Sequence, residues 1–401
     1  MFQFIENGTV TTVQGFKAAG IHCGIKKRKK DLALISSDVP CNAAGTFTLN
    51  KVKAAPILIS QKIIENKNKI KAVLVNSGNA NACTGEQGHN DAMTLKNYCA
   101  SKLGVKPDEV LVSSTGVIGQ TLPLEVIKKG INKITRSLSC SGGMDAAEAI
   151  LTTDLRLKSY ALKTKLSKGE ITIGGICKGS GMIMPNMATM LAFLTTDADI
   201  DQPLLQELLF SSVNKTFNKI TVDGDTSTND MVILLANGKS KISIKKDSKD
   251  YNLFSDGLNK ICEEMAKSII VDGEGATKLI KVTVNGAKTI LDADTIARSI
   301  ANSPLVKTAF NGADANWGRI ISAAGKSGAD FNPLKTNIYF DDLPVMLPGY
   351  KIVLDEEKAS EILNKDNFSV SLDLNEGECS TTWWTCDFSQ DYIKINANYR
   401  T

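Results

Sequence analysis

At 401 residues the chain exceeds the size at which one hydrophobic core stops growing, which predicts two lobes or two closely packed halves. Its 42% hydrophobic and 22% charged residues exclude a disordered or fibrous chain. A net charge of +4 is too small for a nucleic-acid-binding surface, whose signature is clustered and stronger positive charge. In chain order, short apolar or alternating runs at Leu32 to Ile35, Ala72 to Val75, Val110 to Val112 and Ile171 to Ile173 predict strands bounded by Gly, Asn and Ser. After Asp201, an N-cap, Pro203 and the apolar residues Leu204, Leu205, Leu208 and Leu209 predict an amphipathic helix. The three-and-four spacing of Leu258, Ile261, Met265 and Ile269 predicts another, ended by Val271-Asp272-Gly273-Glu274-Gly275. Lys278 to Val284 alternates as a strand, Asn285-Gly286 reads as a turn, and Ile296 and Ile300 begin a further helical pattern. The mixture indicates α/β or α+β layers, with an additional α/β unit over about 280–401 and no internal repeat or low-complexity linker.

Met1 to Asn7 has neither the basic-then-apolar order of a secretory signal nor an Arg-rich transit composition. No apolar run approaches the ~20 residues that span a bilayer. Nine cysteines are scattered singly, with Cys379 and Cys386 the nearest pair and no Cys-x-x-Cys, which points to reduced thiols in a cytoplasmic protein. Only His22 and His89 are available to a histidine triad or a multi-histidine metal site. His22, between Ile21 and Cys23, reads as packed or hydrogen-bonded, and His89, after Gly88 in a polar loop, as solvent-facing. A lone buried cysteine behaves more often as a small hydrophobe than as a nucleophile. Chemistry therefore falls largely to hydroxyls, carboxylates, lysines and backbone amides.

Several segments suggest sites when read singly. Lys26-Lys27-Arg28-Lys29-Lys30 lacks interleaved aromatics and sits between two strands, which favours a solvated hairpin tip over a phosphate site. Gly325-Lys326-Ser327 resembles the tail of a P-loop, but that motif requires glycine where Ile320 stands. Gly174 to Gly181 lacks dinucleotide-binding spacing, although its glycines allow backbone to approach a ligand closely. The Asn- and Gly-rich Asn76 to Gly85 predicts left-handed turns and a polar loop suited to line a site. In Ser113 to Gly119, glycine after threonine leaves amides able to face a developing oxyanion. Asp223 to Asp230 lacks the glutamate and spacing of an EF-hand and reads as a structural polar turn. At Ala188-Thr189 a small residue precedes a threonine that leads into an apolar run. Two readings stand there: a self-cleavage junction that yields an N-terminal threonine nucleophile, and a threonine at the end of a strand or helix.

Taken in order, these segments resemble the glutamate N-acetyltransferase (ornithine acetyltransferase) family of arginine biosynthesis. The resemblance runs through Gly15 to Ile21, Asn76 to Gly85, Ser114 to Gly119, Thr152-Thr153-Asp154, Lys178 to Met182, Ala188 to Leu191, Asp223 to Asp230, Gly273 to Lys278, Asn316 to Ile320 and Asn396 to Thr401. It implies a precursor cleaving itself between Ala188 and Thr189 into an α chain, residues 1–188, and a β chain, residues 189–401, with Thr189 as nucleophile. It further implies an oxyanion hole at Thr115 and Gly116 and substrate contacts from Thr152, Lys178, Thr189, Glu274, Asn396 and Thr401. The implied fold is an α/β stacked-sheet sandwich flanked by helices and resembling N-terminal-nucleophile hydrolases. The implied reaction moves acetyl from N2-acetylornithine to glutamate in a ping-pong cycle, and some members also take acetyl from acetyl-CoA. The resemblance implies no metal or cofactor, and an assembly of two α and two β chains, while the charge and the short apolar runs already argue against nucleic acid and membrane as partners. An N-terminal-threonine aminopeptidase or amidase of similar architecture is the alternative.

Overall fold

The computed structural model describes residues 2–184 and 190–398. The chain divides into two compact units. Unit 1 holds the described residues of Met1–Gly179, Pro185–Asn218 and Asp225–Ala266; unit 2 holds those of Ser180–Met184, Lys219–Gly224 and Lys267–Thr401. In chain order the strands are β1 Phe2–Phe4, β2 Phe16–Ile21, β3 Leu32–Phe47, β4 Ile70–Asn79, β5 Val110–Val117, β6 Lys158–Leu166, β7 Gly169–Lys178 and β8 Leu191–Thr196. They continue as β9 Ile220–Thr221, β10 Met231–Ala236, β11 Leu279–Ala287, β12 Asn337–Phe340, β13 Leu343–Leu347, β14 Lys351–Ile352, β15 Asn367–Asp373 and β16 Cys379–Cys386.

Unit 1 is built on a mixed sheet in the order β1-β6-β7-β8-β10-β3-β4-β5, with β2 also paired to β3. The run predicted at Leu32 to Ile35 is the start of β3, a far longer strand whose two halves serve different neighbours. Leu32–Ser36 pairs with β2 and β4, while Asn42–Phe47 pairs with β10, and the register shifts between Ser36 and Cys41. Leu32, Ala33, Leu34 and Ile35 are all fully buried, which explains their continuous apolar reading in place of alternation. The predicted runs at Ala72, Val110 and Ile171 lie in β4, β5 and β7. β4 and β5 run parallel, so the chain must cross over between them, and the helix Gly85–Leu103 does this. Left-handed Gly104 (φ 69°) ends that helix. His89 lies within it and faces solvent, but on a helix and not in a loop. The Gly85 and Gly88 that suggest a loop belong to its first turns.

The helix Gln202–Lys215 begins where Asp201 predicts, with the Asp201 carboxylate accepting from the Leu204 amide at 3.0 Å. Leu204, Leu205, Leu208 and Leu209 form its buried stripe. Leu258, Ile261, Met265 and Ile269 are fully buried on the helix Lys249–Val271.

Unit 2 carries the second sheet, in the order β14-β13-β12-β15-β11-β16-β9. The helix Ile290–Ala301 packs against β11 and β16 and buries Ile296 and Ile300. Asn285-Gly286 is no turn: β11 continues to Ala287, and its pairing with β16 breaks register between Val284 and Ala287. Gly286 has φ 66°, so the Asn-Gly pair makes a bulge inside a strand, which demands the same left-handed backbone as a hairpin. Among the described residues no helix is long and apolar enough to cross a membrane. Asp201→Ala removes the N-cap and is expected to lower stability by ~1 kcal/mol, read as an earlier urea midpoint with the fold unchanged.

Candidate active site

In unit 1 the paired ends of β4 and β5 set Asn76 opposite Ser114, Ser77 opposite Thr115 and Gly78 opposite Gly116. Gly116 has φ 132°, and a Cβ there would lie 2.3 Å from the Gly78 carbonyl carbon. Only glycine therefore fits, because backbone cannot yield as a flexible side chain would. Around this pair the polar loop folds on itself. The Ser114 hydroxyl donates to Asn76 Oδ1 at 2.6 Å, the Asn76 amide to Asn79 O at 2.9 Å, and the Asn79 amide to Gln120 O and Thr121 O at 3.2 and 3.0 Å. Asn229 ties both strand ends together, donating to Ala80 O at 2.6 Å and Ser114 O at 2.8 Å. Gly78, Asn81, Cys83 and Gly85 all have positive φ, as the Asn/Gly density predicts.

Beside this end, β7 delivers Lys178, which is buried. Its ammonium donates to the Thr152 hydroxyl at 2.9 Å and to the Thr115 hydroxyl at 3.3 Å. With the Thr115 oxygen occupied as an acceptor, the hydroxyl proton is what this residue presents to a ligand. Thr152 is half-buried, and its amide donates to Asp154 Oδ2 at 2.9 Å. Asp154 is almost wholly buried and also receives the Gly179 amide at 2.7 Å and the Lys158 ammonium at 2.8 Å. Burial alone pushes the Asp154 carboxyl up; the Lys178 and Lys158 charges and the hydrogen bonds outweigh it and hold the group well below the usual carboxylate range. Asp154 thus stays charged at neutral pH and fixes both the Thr152 turn and the exit of β7.

Unit 2 holds a second pair of candidates. The Asn396 amide, in the helix Gln390–Ala397, donates to Glu274 Oε2 at 2.9 Å. The Glu274 amide donates to Ser180 O at 2.9 Å, and a Cβ on Gly181 would fall 2.3 Å from Glu274 Oε2. Glycine at 181 is thus what admits the buried carboxylate. Of the residues predicted for the site, Thr115, Gly116, Thr152 and Lys178 come together in unit 1, and Glu274 and Asn396 in unit 2. Ala188, Thr189 and Thr401 lie outside the described residues.

Other candidates take structural roles. Asp223 accepts from the Met182 and Ile183 amides at 2.6 and 2.7 Å, as a polar turn should. His22 Nδ1 meets Lys29 O at 2.9 Å and lies 3.3 Å from Asp31, so it is hydrogen-bonded at the rim of a turn. Burial pushes the Cys41, Cys99 and Cys262 thiols up to about 12, which makes them inert hydrophobes at neutral pH. All nine cysteines are free. Sequence reasoning assigned no role to Asp154 or Lys158; their one signal was the i,i+4 acid-base spacing beside Thr152.

Comparison with known proteins gives consistent matches. The ArgJ family matches residues 17–401. The arginine biosynthesis bifunctional protein ArgJ of Staphylococcus epidermidis is 47% identical, covering 99% of this chain and 100% of that protein. Its namesake in Symbiobacterium thermophilum is 48% identical, covering 98% and 99%. Among solved structures, the Mycobacterium tuberculosis ornithine acetyltransferase complexed with ornithine is 38% identical, covering 46% of this chain and 99% of that chain, with a TM-score of 0.44.

Asp154→Asn removes the charge that pairs with the buried Lys158 ammonium at 2.8 Å and is expected to destabilise the protein by about 3–5 kcal/mol at neutral pH. The folded pKa of Asp154 is depressed, so its contribution is fully present above the unfolded value of ~3.9 and is lost as pH falls toward the folded one. Melting temperatures of the two proteins should therefore converge as the pH drops below about 4. A gap that stayed constant there would show that the charge is not what matters.

Proposed function

We propose the reaction from one premise, that this chain belongs to the ArgJ family: it moves an acetyl group from N2-acetylornithine to glutamate, giving ornithine and N-acetylglutamate in arginine biosynthesis. The observation that carries the reading is the Lys178 ammonium bonded to both Thr115 and Thr152 beside the glycine-only backbone of Gly116. This is a donor-rich, histidine-free corner suited to a negative charge that develops during acyl transfer.

Maturation begins when the Thr189 hydroxyl attacks the Ala188 carbonyl carbon. The peptide C–N bond breaks, which frees the Thr189 α-amine and leaves the Ala188 acyl group as an ester on the Thr189 hydroxyl, and water then hydrolyses that ester to release the hydroxyl and the Ala188 carboxylate. The mature enzyme then consists of residues 1–188 and 189–401. An α-amino group titrates near pH ~8, so enough is neutral at physiological pH to take the hydroxyl proton. The hydroxyl adds to the acetyl carbonyl of N-acetylornithine, and the oxyanion is held by the Thr115 hydroxyl and the Gly116 amide. Ornithine leaves with the proton, and acetyl-Thr189 remains. The glutamate amine attacks this ester through a second oxyanion and regenerates Thr189.

Lys178, Thr152, Glu274, Asn396 and Thr401 hold the amino-acid substrates, with Lys178 placed to meet a carboxylate by a charge-assisted hydrogen bond. Acetyl-CoA serves as a second donor, in line with the bifunctional relatives. The acetyl group travels on the chain itself, so no cofactor is required. The cleaved enzyme assembles as two α and two β chains in the cytoplasm.

Purified protein incubated with glutamate and N-acetylornithine, and separately with acetyl-CoA, should yield N-acetylglutamate in both arms. Release of acetate in its place would instead mark a hydrolase. Denaturing electrophoresis and intact mass should show two chains, the second beginning at Thr189. Thr189→Ala should remain one chain without activity, whereas Thr189→Ser retains part of both functions. Thr115→Val, which keeps the shape and removes one oxyanion donor, should lower kcat by roughly 10²–10³-fold with little change in KM.

A further inference from the structure

The lysine run between β2 and β3 is not a uniformly solvated tip. Lys27, Arg28 and Lys29 are exposed, and Lys30 pairs with Asp145 and Glu148 at 2.6 and 2.7 Å. Lys26 differs from all of these. Its side chain turns inward, with the stem over Gly78, where an added Cβ would lie 3.0 Å from Lys26 Cγ. Its ammonium donates to Lys30 O at 2.8 Å and to Leu151 O at 2.5 Å. Leu151 precedes Thr152, whose hydroxyl receives Lys178, and Gly78 faces Gly116 across β4 and β5. Lys26 therefore touches the backbone on both sides of the Lys178 corner.

The turn that aims it is rigid. Buried Asp31 accepts the amides of Cys23, Gly24, Ile25 and Lys26 at 2.6, 3.1, 2.7 and 2.9 Å, so the backbone that launches the side chain is set. The Lys26 and Lys178 ammoniums are bonded to adjacent residues, Leu151 and Thr152, and the Lys178 charge opposes that of Lys26, a repulsion that a bound anion relieves.

We propose that Lys26 is a positioning residue of the transfer site: it holds the Leu151–Thr152 peptide so that Thr152 meets Lys178, and its charge helps to draw in the carboxylate of the amino-acid substrate. This rests on the acetyl-transfer reading above. The charged groups facing Lys26 are Asp31 and Asp154, which favour its cationic form, and Lys178 and Lys29, which oppose it. Burial pushes its pKa down to about 8, so its charge is present at neutral pH and fades just above.

The test measures kcat and KM for glutamate and N-acetylornithine from about pH 6.5 to about pH 9.5 on cleaved wild type, Lys26→Arg and Lys26→Met. Wild-type KM should rise above pH ~8, with kcat following a separate profile. Lys26→Arg, which stays charged, should keep the neutral KM within about threefold and lose that rise. Lys26→Met, which retains the stem, should raise KM by roughly tenfold at neutral pH while kcat falls by less. The substrate amines titrate identically in all three proteins, so a difference between them belongs to position 26. Wild-type KM and profile in a cleaved Lys26→Met, or an undiminished rise in Lys26→Arg, overturns the proposal. Should Lys26→Met fail to mature, the Lys26→Arg profile alone decides. A wild type that transfers no acetyl sinks the reaction assignment as well, whereas an active wild type with a flat KM sinks only the role of Lys26.

Discussion

A carboxylate taken out of water must be met by donors or give up its charge, and Asp154 is met on every side available to it. Lys158, the Gly179 amide and the Thr152 amide converge on its two oxygens, and the Lys178 charge acts on it as well. Each of these contacts also fixes something. The Gly179 bond sets how β7 ends, and thereby where Lys178 stands. The Thr152 bond sets the turn that offers Lys178 a hydroxyl. The outer neighbour, Lys158, is itself almost fully buried, so its charge and that of Asp154 stand or fall together.

The chemistry available to this corner follows from what the chain lacks. Its two histidines lie elsewhere, one at the rim of a turn and one on a solvent-facing helix surface. The most buried thiols are held protonated by their apolar surroundings. What remains is a buried lysine, two threonine hydroxyls and a backbone whose geometry admits only glycine. Such a set stabilises negative charge without taking up a proton. The base must come from another source, and in the reaction proposed above the α-amine of Thr189 is that source. The β4–β5 pairing gives the corner its rigidity, because its strands, the Asn76–Ser114 bond and the Asn229 bridge tie the Thr115–Gly116 backbone to a buried sheet.

Local patterns in the chain mapped onto local structure with few exceptions. The helix after Asp201 starts at its cap, the stripe from Leu258 to Ile269 is buried, and the runs at Leu32, Ala72, Val110 and Ile171 are strands. Propensity and periodicity act over a few residues, so a few residues suffice to read them. The exceptions share one cause. Asn285-Gly286 and Gly85 to Gly88 carry turn residues, yet the first is absorbed as a bulge in β11 and the second as the opening turns of a helix. Strand pairing and helix packing decided these cases, and neither is encoded locally.

By itself the sequence determined the α/β composition, the scarcity of histidine and the ordered segments by which the family is recognised. Through that resemblance it also marked Thr115 and Gly116 for an oxyanion hole, and Thr152 and Lys178 among the substrate contacts. Only the tertiary structure decided that these four meet, since Lys178 stands 63 residues from Thr115 and 26 from Thr152. It likewise decided that one acid among 43 acidic residues organises the corner, and that Lys26 of a basic run turns inward while Lys27, Arg28 and Lys29 stay in water. Burial and hydrogen-bond partners come from segments far apart in the chain. A side chain's charge state and direction are therefore properties of the fold, and not of the residue.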